Sequence, residues 1–194
     1  TSSGHRGELH LDRLDLYEAS ALASLRTLLF PDLAASNSRM TIRVLAPSPQ
    51  EAPDSSLSHM FGCLLAALGS PASGYDVAAG ELRSEPLFES LAGACERGDA
   101  LALCGTAFAF VHLLDALAAR DLHFALPAGS RIMETGGYKG RSRELSRADL
   151  YATLALRLGV PESCIVNQYG MTELGSQFYD SVLREPAAPR RKLA

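Results

Sequence analysis

Tryptophan is absent from the 194 residues, and aromatic residues together make up only 7%. The few that occur are not interleaved with lysine and arginine, so the stacking platform of a single-strand nucleic-acid binder is missing. Charge of one sign is also scarce. There are 18 lysines and arginines against 22 acids, a net charge of −4, and the basic residues are scattered apart from two short clusters. Electrostatic capture of nucleic acid is therefore not expected. The longest apolar run, 100–111, is broken by Gly105 and Thr106 and closed by His112 and Asp115. It is well short of the roughly 20 residues of a bilayer-spanning helix and reads as a buried strand running into a helix. The opening Thr1-Ser2-Ser3-Gly4-His5-Arg6-Gly7 holds no apolar segment of the kind a secretory signal needs.

Cysteine is limited to Cys63, Cys95, Cys104 and Cys164. They are widely spaced, form no CxxC, and read as lacking a histidine partner at zinc-ligand spacing. Each lies in an apolar stretch, which points to buried, reduced thiols in a cytoplasmic protein.

What the chain does contain is 47% apolar and 21% charged residues, enough to build a core and sized for one domain. Periodicity predicts a helix over 12–30 capped by Asp12, with Leu14, Tyr17, Ala21, Leu22, Leu25, Leu28 and Leu29 on one face and Pro31 as its stop. A strand over 40–46, a Pro-rich loop over 47–56, a helix over 58–68 ending on Gly69 and a brief strand over 75–78 follow. Ser84 opens a helix to Arg97, with Pro86 in its first turn and Gly98 after its end. A strand over 100–104 turns into a helix at 105–121. Another strand spans 131–134, and Ser146 with Asp149 makes a capping box for a helix to Leu158, closed by Gly159 and Pro161. The last strand, 164–167, runs into Tyr169.

Short apolar strands alternating with helices imply an α/β fold, a mostly parallel sheet flanked by helices. Ligands of such sheets bind outside the carboxyl ends of the strands. The loops of unusual composition fall at that edge. In Thr135-Gly136-Gly137-Tyr138-Lys139-Gly140-Arg141-Ser142-Arg143, glycines allow close backbone approach to a flat or charged ligand beside three basic side chains. A tight turn with a solvated basic rim fits the same residues. In Tyr169-Gly170-Met171-Thr172-Glu173, a hydroxyl beside a carboxylate suits phosphate and magnesium, and Tyr169 offers a face to an adenine. An ordinary helix start, with Thr172 as cap and Glu173 in the first turn, fits equally. Ser2, Ser3 and Gly4 could cradle phosphate, or fray as a terminus. His59 and His112 read as core histidines; His5 and His10 are uninformative.

The stretches Arg131-Ile-Met-Glu-Thr-Gly-Gly-Tyr-Lys-Gly-Arg-Ser-Arg-Glu144 and Ile165-Val-Asn-Gln-Tyr-Gly-Met-Thr-Glu-Leu-Gly-Ser-Gln-Phe-Tyr-Asp180 closely resemble the acyl-protein synthetase (LuxE) family, the long-chain fatty acid–luciferin-component ligases of the adenylate-forming superfamily. Gly105-Thr-Ala-Phe-Ala-Phe-Val-His-Leu-Leu-Asp115 fits the same pattern. The resemblance covers most of the chain and is specific over residues 100–180. It implies ATP and Mg²⁺ as cofactors. Tyr169 would pack on adenine, with Gly136, Gly137, Tyr138 and Lys139 lining the nucleotide pocket beside Gly170 and Met171. Thr172 would touch the attacked phosphate, and Glu173 would hold the metal. Phe108, Phe110 and Val111 would lie near the acyl chain.

Two features depart from the family pattern. The phosphate loop, of the form Ser-Gly-Thr-Thr-Gly, is matched only by Ser2-Ser3-Gly4 and then His5-Arg6-Gly7. The ribose-binding aspartate, the mobile C-terminal domain with its catalytic lysine, and the acyl-accepting cysteine have no counterpart. The resemblance thus implies a partial adenylate-forming core over 1–183, part of a large N-terminal domain, with a basic linker over 184–194 leading to a further C-terminal part. The implied reaction is ATP-dependent activation of a fatty or other carboxylic acid to acyl-adenylate, then transfer to a protein thiol, with this chain alone inactive. Alternatives are transfer to coenzyme A, as in phenylacetate–CoA ligases, or a non-catalytic nucleotide-binding or scaffold module.

Overall fold

The computed structural model describes residues 11–36, 38–136, 145–170 and 177–194. Along the chain it forms α1 (Asp15–Leu28), α2 (Pro31–Ser36), β1 (Thr41–Leu45), α3 (Ser56–Leu68), β2 (Gly74–Tyr75), β3 (Val77–Ala78), β4 (Glu81–Leu82), α4 (Ser84–Arg97) and β5 (Leu101–Thr106). There follow α5 (Ala107–Ala119), β6 (Arg131–Thr135), α6 (Arg147–Leu158), a 3-10 turn at Glu162–Cys164, β7 (Ile165–Gly170), β8 (Gln177–Asp180) and β9 (Lys192–Leu193).

Seven strands make one sheet in the order β2-β1-β5-β6-β7-β8-β9. The first five are mutually parallel, and β8 and β9 extend the sheet antiparallel from β7. Helices cover both faces, which is why Leu101, Ala102, Leu103 and Cys104 are all buried in one uninterrupted apolar strand. On one face Leu103, Ile132 and Ile165 pack with α4, α5 and α6. On the other, Ala102, Cys104, Met133 and Val166 pack with α1 and α3. The chain is thus an α/β protein with a mostly parallel sheet. No helix among the described residues is long and apolar enough to cross a membrane.

Local chemistry sets most boundaries. Ser55, Thr106 and Ser146 cap α3, α5 and α6 by accepting the backbone N–H three residues on. In α6 the Asp149 carboxylate accepts from the Ser146 hydroxyl rather than reaching the Ser146 backbone, a variant of the expected box. Gly98 and Gly159 close α4 and α6 in the left-handed conformation.

Several expectations are corrected. Asp12 caps nothing: the cap position of α1 is Leu14, without a side-chain bond, and Leu14 is exposed while Ala21, Leu25 and Leu28 are buried. Pro31 begins α2 instead of merely ending α1, because the first position of a helix needs no N–H. The strand expected over 75–78 is two strands broken at Asp76. Its buried carboxylate takes a bidentate bond from the Arg43 guanidinium, and its carbonyl accepts from Arg83 N–H. β2 therefore joins the main sheet while β3 turns into a hairpin with β4. All four cysteines are free, but only Cys104 is buried. His112 is exposed and His59 half-buried, so neither is a core histidine. Within residues 184–194, Lys192 and Leu193 form β9 and pair with Asp180 and Tyr179 of β8.

Strand order reverses at β1, with β2 on one side and β5 on the other, the topological switch point of the sheet. At that point β1 and β5 approach closely. A Cβ on Gly105 would stand 2.6 Å from the Leu45 Cβ and 2.8 Å from the Leu45 carbonyl oxygen. Neither neighbour can rotate away, so Gly105→Ala should cost roughly 1–3 kcal/mol. The measurement is urea unfolding, where the midpoint should fall with little change in slope.

Candidate functional site

The parallel pair β6–β7 brings the first described residues of two of the unusual loops, Gly136 and Tyr169, to the same end of the sheet. Ile132, Met133, Glu134 and Thr135 pair with Ile165, Val166, Asn167 and Gln168. One step beyond the last pair lie Gly136 and Tyr169, side by side at the carboxyl ends of adjacent strands. Gly136 has φ +77, a conformation that disfavours any side chain, and the space where a Cβ would point is open. Tyr169 is 49% exposed. Strand alternation puts it on the face of Asn167 and Ile165, the side covered by α6.

Beneath this edge is a polar layer that a buried sheet has to justify. Thr135 donates to the Gln168 side chain, and both are buried. Glu134 accepts from the Tyr151 hydroxyl at 3.0 Å and from the Asn167 amide at 2.6 Å. Burial pushes its carboxyl above the ordinary value, partly offset by those two bonds and by the charges of Arg147 and Lys192. Next to it, Asp180 on β8 is 2% exposed yet ion-paired to three cations: Arg147, Arg190 at 2.7 Å and Lys192 at 3.2 Å. It also accepts the Asn167 backbone N–H at 3.1 Å. Burial alone would raise the Asp180 carboxyl. The Arg190 bond, the Asn167 N–H and the charges of Lys192 and Arg147 outweigh it and hold the group below its ordinary value. Arg147 and Arg190 both lie over the Tyr151 ring, 5.1 and 5.3 Å from its centroid.

The residues expected to contact the acyl chain divide. Phe108 is half-buried at the start of α5 and stacks edge-on against His112 at 4.4 Å. With Leu82, Ser84 and Ala116 these two line a shallow groove of about 290 Å³. Phe110 and Val111 are fully buried in the core between α5 and the sheet. Of the expected nucleotide contacts, Gly136, Tyr169 and Gly170 are brought to the common edge. Ser2, Ser3, Gly4, Gly137, Tyr138, Lys139, Met171, Thr172 and Glu173 lie outside the described residues.

Sequence reasoning missed Glu134, Tyr151, Asn167 and Asp180. The available signals were an acid inside an otherwise apolar strand at Glu134, and the Arg190-Arg191-Lys192 cluster able to neutralise Asp180. No family model and no curated protein matches this chain.

The two buried acids should respond oppositely to amidation. Asp180 contributes stability that is present above the usual aspartate value of about 3.9 and lost as pH falls through its lower folded value. Asp180→Asn should therefore cost about 2 kcal/mol at pH 7 and flatten the acid limb of the stability curve. Glu134 has the opposite sign: its contribution is present below the ordinary value of about 4.3 and lost as pH rises through its higher folded value. Glu134→Gln should be close to neutral at pH 7. Urea unfolding of both variants between pH 3 and 8 checks the contrast.

Proposed function

We propose that this chain is the nucleotide-binding part of an adenylate-forming ligase. In the reaction, a carboxylate attacks the α-phosphate of ATP to give an acyl-adenylate and pyrophosphate, and a thiol then attacks the acyl carbonyl to form a thioester with release of AMP. The observation that carries the reading is a positive-φ glycine just past β6 and a half-exposed tyrosine near the end of β7, each one step beyond the Thr135–Gln168 pair of two parallel strands. A purine is flat, and it needs an aromatic face on one side and backbone without side chains on the other; Tyr169 and Gly136 supply these.

The first step is one of positioning and charge neutralisation, which suits backbone, hydroxyls and basic side chains. Lys139, Arg141 and Arg143 follow the glycine turn in sequence and would face the phosphates, with Thr172 beside the reacting one. Magnesium would supply further neutralisation of phosphate charge, and Glu173 is its proposed ligand. The groove beside half-buried Phe108, between α5 and the β3–β4 hairpin, would take the chain of the acid against Phe108 and Leu82. Phe110 and Val111 would back that groove from the core rather than touch the acid.

Tyr169→Ala should weaken ATP or an acyl-sulfamoyl-adenosine analogue by roughly 5- to 100-fold, the worth of one aromatic–base stack of about 1–3 kcal/mol. Calorimetric titration reads this directly, and unchanged affinity removes Tyr169 from the site. In a catalytically active form containing this chain, Glu173→Ala should abolish hydroxamate-trapped acyl-adenylate. Trapping that persists at the parent level would leave Glu173 without a metal role.

A further inference from the structure

On the opposite face of the sheet, where α1 packs on α3, Glu18, His59 and Cys63 bring one ligand atom each to within 4.8 Å of the others. We propose that these three side chains form a binding site for a borderline divalent transition metal, with zinc the best fit. His59 and Cys63 are four residues apart on α3, so both project from one helix face, the spacing by which paired ligands on a helix grip one ion. This corrects the expectation that no histidine stands at zinc-ligand spacing from a cysteine. Glu18 comes from α1 and meets His59 at 2.9 Å between Oε1 and Nε2.

The spacing fits a small tetrahedral ion. With bond lengths of about 2.0–2.3 Å to oxygen, nitrogen and sulfur, ligand atoms around zinc stand about 3.4–3.6 Å apart. The Glu18–His59 separation is 2.9 Å and none of the three exceeds 4.8 Å, within reach of that value by side-chain rotation. The donor set is thiolate, imidazole and carboxylate, which suits zinc or cobalt. Magnesium and calcium are disfavoured because they require oxygen ligands. Three protein ligands would leave a fourth position for water or another group.

The surroundings hold the ligands in place. Glu18 and His59 are half-exposed, leaving an entry path. The neighbouring Tyr17 packs its ring 6.2 Å from that of His59 and donates to the Ser56 carbonyl at the start of α3. The same Tyr17 hydroxyl accepts from Gln177 of β8, the residue paired with Gly170. The cluster is thereby anchored to the carboxyl edge, through residues distinct from the Asp180 network. This proposal does not depend on the adenylation reading.

Cobalt titration of the reduced chain tests it. Co²⁺ should bind at one equivalent with a thiolate-to-metal charge-transfer band and the strong visible absorption of four-coordinate cobalt. Zn²⁺ should displace it, and excess Mg²⁺ should not. The charge-transfer band should vanish in Cys63→Ser and persist in Cys95→Ser and Cys164→Ser. Glu18→Gln, an isosteric change at a half-exposed position, should weaken Zn²⁺ by about tenfold or more without unfolding the chain. Absence of the band, its persistence in Cys63→Ser, or unchanged zinc affinity in Glu18→Gln would each overturn the site.

Discussion

The carboxylate of Asp180 is the point at which β7, β8, the start of α6 and the region of β9 share one polar contact, in addition to the strand ladders and core packing that bring them together. It takes the backbone N–H of Asn167 from β7, belongs itself to β8, and pairs with Arg147 at the start of α6 and with Arg190 and Lys192 beside and within β9. Each partner carries a cost without it. A cation at the first position of α6 opposes the helix dipole, and an acid buried in the sheet needs compensating charge. The cations compensate the buried carboxylate, and each keeps partial access to water. The edge strands β8 and β9 are short, and this polar fastening adds to the backbone ladders that extend the sheet beyond β7.

That fastening bears directly on the candidate site. Tyr169 pairs across to Phe178 on β8, two residues before Asp180, and Asn167 is held from both sides by Glu134 and Lys192. The end of β7 is therefore clamped between the parallel β6 register and the antiparallel β8 register. Tyr169 is thus held within a strand, and Gly136 is the first residue after one, so each is positioned by the sheet.

Much of the architecture was legible because apolar periodicity and punctuation agree. The run from Leu101 to Cys104, the Ser146 cap and the Gly98 and Gly159 stops each give one answer by themselves, and the helices and parallel strands follow. Asp76 was not legible, since its effect depends on Arg43, a partner more than thirty positions away that no local pattern reveals. The antiparallel β8 and β9 were missed for a similar reason. Arg190-Arg191-Lys192 reads as part of a basic linker until Asp180 and Glu185 are placed opposite it. His112 shows the limit of helical spacing: it falls in an apolar stretch yet faces outward beside Phe108. At the site, Gly136 and Tyr169 could be named from composition, but the acids beneath them could not.

The most direct test of the nucleotide reading is photolabelling with 8-azido-ATP followed by mapping of the modified peptides. An azide on the adenine reports which residues line the base, independently of turnover or affinity. The account predicts adducts within residues 135–143 and 167–173, suppressed by unlabelled ATP. Adducts confined to other segments, or labelling that ATP does not suppress, would contradict it.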